Sequence, residues 1–158
     1  MVESSKNDSR GDAVTAPLDE IDRVLMRELV ADGRATLAVL AEKAGLSVSA
    51  VQSRVRRLES RKVIRGYTAK VDSDAMGRGL SAFVAITPLD PSQPDDAPAR
   101  LRHLSAIEAC HSVAGEDSYV LMVRVASPRA LESLLQEIRA TANVHTRSTI
   151  ILQTFYDR

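Results

Sequence analysis

The sequence predicts an α+β protein in which an N-terminal winged helix-turn-helix domain precedes a ferredoxin-like domain of βαββαβ order. Three short amphipathic helical patterns, separated by turn residues, occupy the first half of the chain. Strand-like and helical patterns then alternate through the second half. Positive charge is concentrated early: residues 18–70 carry 11 Lys and Arg against 7 Asp and Glu, although the 158-residue chain has 21 of each.

The basic charge is densest over residues 46–70, which hold seven Lys or Arg and a single acid, Glu59. Such a segment can bind a polyanion such as double-stranded DNA. The alternative is a solvated basic helix face. No apolar run approaches the roughly 18 residues that span a membrane, and the polar N-terminus is unlike a secretory signal. One cysteine, Cys110, excludes an internal disulfide and a Cys-based zinc finger. We expect a cytoplasmic, nucleoid-associated protein with no membrane partner.

Residues 1–17 are polar and predict a flexible tail, whereas residues 18–71 predict the winged helix-turn-helix domain. Its first helical pattern opens at Leu18-Asp19, where acidic residues in the first turn suit the helix dipole, and stops at Asp32-Gly33.

The helix-turn-helix core is predicted over residues 37–56. Thr36 can cap its first helix, and Gly45 permits the left-handed turn that ends it. Ser47 or Ser49 can cap the next helix. Residues 63–64 and 67–71 then predict a β-hairpin wing, and residues 72–80, with two glycines, predict a linker.

The ferredoxin-like domain is predicted over residues 81–158, with both helices on one face of a four-stranded antiparallel sheet. The other face is left uncovered, and we expect it to carry residues such as Val84 and Val123 and to pair with a second copy of the chain. The predicted strands and helices cover residues 81–88, 99–105, 107–114, 118–126, a helix from Pro128, and 146–156.

The second helix of a helix-turn-helix unit enters the major groove, with its N-terminal side chains at base edges. Gln can pair with adenine and Arg with guanine, but successive arginines diverge around a helix, so most are assigned to phosphates. The residues predicted to contact DNA are Thr36, Ser47, Ser49, Gln52, Ser53, Arg54, Arg56, Arg57 and Arg61.

Four segments carry a family resemblance: LDEIDRVLMRELVADGRATLAVLAEKAGLS, VSAVQSRVRRLESRKVIRGYTAKVD, VAGEDSYVLMVRV and TRSTIIL. Over residues 18–156 the chain resembles the Lrp/AsnC (feast/famine) transcriptional regulators, and it is similar to their actinobacterial-type members. The resemblance implies a regulator of amino-acid metabolism without catalysis. It also implies sheet-to-sheet homodimers that assemble to tetramers or octamers on pseudo-palindromic DNA, and a small effector between dimers.

The family's effector loop has the pattern Gly-Asp-x-Asp-Tyr, which Gly115 and Tyr119 match here. Glu116 preserves an acid, but Ser118 stands where the second Asp is expected, so that Asp117 substitutes, the specificity differs, or the site is weak. The resemblance implies an amino-acid effector, leucine or another apolar or aromatic one; a simple β-turn is the alternative. The implied effector residues are Gly115, Glu116, Asp117, Ser118, Tyr119, Thr146 and Ser148.

Other functions receive less support from the residues. Adjacent Cys110 and His111 face opposite ways in a strand and cannot form a nucleophile–base pair. The three histidines are scattered, and no phosphate-binding glycine motif is present, so neither a metal nor another cofactor is expected. Two alternatives remain: an architectural DNA-binding protein indifferent to effectors, and, more remotely, an enzyme similar to siroheme decarboxylases.

Overall fold

The structure is a computed structural model, which describes residues 17–90, 92 and 96–156. The predicted tail therefore lies outside the described residues, apart from Pro17. The chain divides into two compact units between Ala69 and Lys70. No helix in the described part of the chain is long and apolar enough to cross a membrane.

The described part of the N-terminal unit, from Pro17, contains three helices, α1 (Glu20–Ala31), α2 (Leu37–Ala44) and α3 (Val48–Ser60). Each presents an apolar stripe to a shared core, because apolar residues recur every three or four positions. The buried core residues are Leu25, Leu40, Ala41, Val51 and Val55.

The predicted helix ends are confirmed by their backbone geometry. The Thr36 side chain accepts a hydrogen bond from the Val39 N–H, and Gly45 has a left-handed φ of 64°. Of the two serines considered for α3, Ser47 is the cap, since its hydroxyl accepts from the Ala50 N–H. The three helices and tight turns of a helix-turn-helix unit therefore follow from local chemistry.

The predicted wing is wrong as a hairpin, since no described residue between α3 and Leu80 lies in a strand. Instead, the N–H groups of Val63 and Ile64 both donate to the Leu58 carbonyl and close the end of α3. Ile64 then packs against the helical core, and the Tyr67 hydroxyl donates to Glu59 at 2.9 Å. These contacts with α3 replace the strand pairing that a hairpin requires.

The second unit contains β1 (Leu80–Pro88), α4 (Ala97–Leu101), β2 (Ile107–Ser112), β3 (Tyr119–Val125), α5 (Pro128–Ala142) and β4 (Val144–Ile150). The strands form an antiparallel sheet of order β2-β3-β1-β4, which confirms the βαββαβ prediction. The predicted last strand, residues 146–156, is misplaced. The observed strand β4 begins at Val144 and ends at Ile150. Its partner β1 begins at Leu80, only two residues before Ala82, which pairs with Ile150, so β1 offers no partner for the residues up to 156.

The predicted assignment of the sheet faces is also wrong. Val84 and Val123 are fully buried in the core that α4 and α5 cover. The opposite face carries Phe83, which is 46% exposed, and Met122 beside it. β3 is nearly all apolar, so its sequence gives no indication of which alternate residues face the helices.

Candidate DNA-binding and effector sites

The N-terminal half of α3 presents a polar face to solvent. Ser49, Gln52 and Ser53 are exposed there, and Arg56 extends the same surface by one turn. The Ser47 cap lies at the start of this face, with its Oγ 3.2 Å from that of Ser49. Hydroxyl, amide and guanidinium groups on one exposed helix can bond base edges and phosphates.

The two arginines on the other side of α3 are paired within the protein. Arg54 Nη1 lies 2.9 Å from Asp22 Oδ1 and 2.5 Å from Asp19 Oδ2. Arg57 Nη2 contacts both carboxylate oxygens of Asp22, at 2.9 and 2.8 Å. The structure thus gives Arg54 and Arg57 internal partners at the start of α1, while the Arg57 side chain stays 45% exposed.

The ion pairs of Asp19 and Arg54 shift the pKa values of both groups. The Arg54 hydrogen bond is the main cause that lowers the pKa of the Asp19 carboxyl, and the Asp22 backbone N–H adds to it. The two carboxylates in turn raise the pKa of Arg54. The charged forms are therefore mutually stabilised.

The remaining predicted DNA contacts lie at helix ends. Thr36 is exposed at the start of α2, where its hydroxyl is already used as a cap. Arg61 is half-buried at the C-cap of α3, with its Nε atom shielded from solvent. Both lie in the same unit as the α3 face.

In the second unit, the predicted effector loop joins β2 to β3. Its Gly115 is exposed and has a φ of 150°. The Ser118 N–H donates to the Ile86 carbonyl at 3.1 Å, which anchors the loop to β1. The Asp117 carboxylate forms an ion pair with Arg147 of β4. An acidic and a basic group therefore lie together beside this loop.

The hydroxyls assigned to the effector site do not meet the loop. Thr146 and Ser148 pair with Ile86 and Val84 and so lie on the helix-side face, where Thr146 accepts a hydrogen bond from Arg139 at 2.9 Å. Arg147 lies between them and points to the opposite face.

Arg147 is the residue that sequence reasoning missed. Its side chain, 69% exposed, contacts Asp117. Strand alternation within TRSTIIL, together with the unmatched acid of the loop, could have indicated it.

No group of three or more His, Cys, Asp or Glu side chains in the described ranges is placed to hold a metal ion. Cys110 is exposed in β2, where partial burial raises the pKa of its thiol.

A polar and basic helix-turn-helix surface, followed along the chain by a sheet unit with a charged loop, defines a transcriptional regulator with a ligand-binding domain. Residues 18–59 match the AsnC-type helix-turn-helix domain, and residues 81–158 match the Lrp/AsnC ligand binding domain. The chain therefore belongs to the Lrp/AsnC family.

Relatives cover nearly the whole chain. It is 75% identical to the HTH-type transcriptional regulator LrpA of Mycobacterium tuberculosis over 139 residues, which are 88% of this chain and 93% of the relative. It is 35% identical to the Leucine-responsive regulatory protein of Salmonella typhimurium, over 97% of this chain and 92% of that protein.

A solved structure of the feast or famine regulatory protein from M. tuberculosis, complexed with L-methionine, matches with a TM-score of 0.88 and 74% identity. The match covers 89% of this chain and 96% of that chain. The named relatives are transcriptional regulators.

Proposed function

We propose that this protein binds operator DNA through α3 and controls genes of amino-acid metabolism in response to an amino acid. The observation that carries the proposal is the exposed face of α3, where hydroxyl, amide and guanidinium groups lie on one side of a capped helix. Because its proposed ligand is chromosomal DNA, we propose that the protein is cytoplasmic and associated with the nucleoid.

The proposed DNA contacts divide by role. Ser49, Gln52 and Ser53 reach base edges from the start of α3, and Arg56 bonds phosphate. We assign further phosphate contacts to Thr36, Ser47 and Arg61, which lie at helix ends of the same unit. In a dimer, two such helices read a pseudo-palindromic site one helical turn apart.

Fluorescence anisotropy with the promoter of the protein's own gene tests these roles. Gln52→Ala should weaken specific binding by about 1–3 kcal/mol and relax the preference at one base position. Arg56→Ala should weaken all sequences alike and reduce the salt slope of log K by about 0.9. Arg129→Ala, an exposed arginine of α5, is the control and should change neither. Wild-type protein that fails to bind at low salt would overturn the proposal.

We also propose that the open sheet face forms the homodimer, from which tetramers or octamers assemble. Phe83 and Met122 are neighbours on this face, and Ala85 pairs with Val120 beside them. An exposed apolar patch of this kind favours a protein partner.

Phe83→Ser should therefore produce monomers in analytical ultracentrifugation. Val30→Ser removes a more exposed side chain, on α1, and should leave assembly unchanged. Dimers that persist in Phe83→Ser at wild-type affinity would argue against this interface.

For the effector, the proposal rests on the Asp117–Arg147 pair. An amino acid carries one ammonium and one carboxylate, and this pair offers one partner for each. Asp117 then takes the place of the acid expected at Ser118. The methionine complex of the M. tuberculosis protein and the leucine-responsive Salmonella relative support an apolar amino acid.

Calorimetric titration with leucine, methionine and phenylalanine should give binding that Asp117→Asn and Arg147→Gln abolish. Glu137→Gln, which neutralises an exposed carboxylate of α5 outside the loop, is the control. DNA binding that no amino acid alters would favour the architectural, effector-independent alternative.

A further inference from the structure

Asp22 is the one polar or charged side chain that is fully buried in the described part of the chain. Removing a carboxylate from water is costly unless it is paired and hydrogen-bonded. Asp22 meets both conditions, because Arg54 and Arg57 bond it from α3 and the Asp19 N–H donates to it at 3.3 Å. A buried ion pair is weak evidence of stabilisation, since apolar side chains often serve a core at least as well. The position of Asp22 between two helices is therefore more informative than the stability that its ion pairs contribute.

The pair joins two helices at one point. Arg54 and Arg57 lie one turn apart on α3, and Asp19 and Asp22 lie one turn apart at the start of α1. The Nη2 atom of Arg57 contacts both oxygens of Asp22, and Arg54 Nη1 contacts Asp22 Oδ1, so that two side chains of α3 meet one carboxylate. Two anchored arginines on one helix restrict its rotation about its own axis.

That rotation determines where the exposed face of α3 points. Ser53 and Arg56 directly precede the two anchored arginines in sequence, and Gln52 lies one residue further back. Each step around a helix is about 100°. The anchors face α1; Gln52, about 160° around the helix from Arg54, consequently faces away from it, and Ser53, about 100° from Arg54, lies on the flank between.

We propose that Asp22, assisted by Asp19, is a positioning residue for DNA recognition, which holds α3 in the orientation that presents Gln52 and Ser53. Arg54 and Arg57 act through this internal pairing and not as phosphate ligands. The inference rests on the proposed function, since it presupposes that α3 reads DNA.

The first test compares Asp22→Asn with Glu20→Gln. Both substitutions remove one negative charge from the first turn of α1, but Glu20 is exposed and contacts only exposed Arg23 at 3.3 Å in the described structure. Electrostatics alone would tighten DNA binding in both variants. We expect Glu20→Gln to bind as well as wild type or better, and Asp22→Asn to lose about 10-fold in affinity for the specific site. Binding is measured at a temperature where circular dichroism shows both variants folded.

A second set of variants covers the case in which Asp22→Asn does not fold. Asp19→Asn retains a good helix cap and removes only the charge that faces Arg54. It should weaken specific binding about 3-fold, a fraction of the loss of one base contact. Arg54→Met and Arg56→Met are then compared by salt titration. Arg56→Met should reduce the salt slope by about 0.9, whereas Arg54→Met should weaken binding with the wild-type slope.

Two results would overturn the positioning role while wild type still binds its site. One is that Asp22→Asn binds the specific site with the same affinity as Glu20→Gln. Where Asp22→Asn does not fold, Asp19→Asn takes its place in that comparison. The other is a reduced salt slope in Arg54→Met, which would make Arg54 a phosphate ligand. If wild type itself does not bind, the proposed function fails, and the inference fails with it.

Discussion

The two units of this chain treat charge differently. The helical unit buries a carboxylate between two helices, whereas the buried side chains of the described sheet unit are all apolar. A small three-helix domain has little apolar surface to bury, and polar anchors can specify how its helices meet. In the sheet unit, α4 and α5 cover one face of the sheet and form an apolar core with it. The ion pair between Arg147 and Asp117 lies outside this core.

The comparison separates residues that shape a domain from residues that serve its ligand. In the helical unit, neighbouring arginines of α3 belong to different groups: Arg54 and Arg57 form ion pairs with Asp22, and Arg56 extends the exposed polar face. In the sheet unit, neighbouring residues of a strand divide in the same way, because alternate side chains point to opposite faces. If this division is correct, substitutions of neighbouring residues that belong to different groups should differ clearly in effect.

Leu121→Ala should destabilise the sheet unit by about 2–5 kcal/mol, because a fully buried leucine leaves a cavity behind. Met122→Ala changes the adjacent residue on the open face and should cost about 1 kcal/mol or less in the isolated chain. Urea unfolding, with hydrogen exchange read at β1 and β3, measures both. If both variants lost the same unfolding free energy, the helix-covered face and the open face of the sheet would contribute equally to stability.

Two helices, one in each unit, end in the left-handed conformation, α2 at Gly45 with φ 64° and α5 at Asn143 with φ 54°. Gly45→Ala should cost about 1–2 kcal/mol, because a Cβ is disfavoured at positive φ although open space surrounds it. Asn143→Gly should stay within about 0.5 kcal/mol of wild type, since Asn tolerates this region. Thermal unfolding checks the pair, and a tolerated Gly45→Ala would show that α2 can end in another way.

Much of this architecture could be predicted from local sequence signals. Thr36 and Gly45 mark helix ends by chemistry that acts within a few residues, and the structure uses both as expected. The strand order followed from the alternation of patterns, since βαββαβ has few compact arrangements.

The features that local patterns did not reveal share one physical cause, which is distance along the chain. Arg54 pairs with acids 32 and 35 residues away, and no local pattern shows that they meet. The faces of Val84 and Val123 depend on where α4 and α5 pack. Arg147 meets Asp117 across 30 residues, whereas the adjacent hydroxyls that drew attention point the other way.

The N-caps allow a smaller effect to be compared between units. Ser47→Ala and Ser127→Ala each remove the hydroxyl that accepts a backbone N–H at the start of a helix. Each should cost about 1 kcal/mol in unfolding free energy, and Asn should restore it. Only Ser47→Ala should also weaken DNA binding. If both variants leave DNA affinity unchanged, Ser47 is a cap alone.

The smallest effect expected is a pH dependence of the helical unit. The Arg54 hydrogen bond, and then the Asp22 N–H, lower the pKa of Asp19 below its ordinary value. A carboxyl whose pKa is depressed in the folded state contributes stability that is present above its unfolded pKa and is lost as the pH falls through its folded pKa. The difference in unfolding free energy between wild type and Asp19→Asn should therefore shrink as the pH falls below about 4. Salt should reduce it as well, because Asp19 is exposed. In an Arg54→Met background most of this pH dependence should disappear; if it persists unchanged, the backbone N–H and not the arginine is responsible.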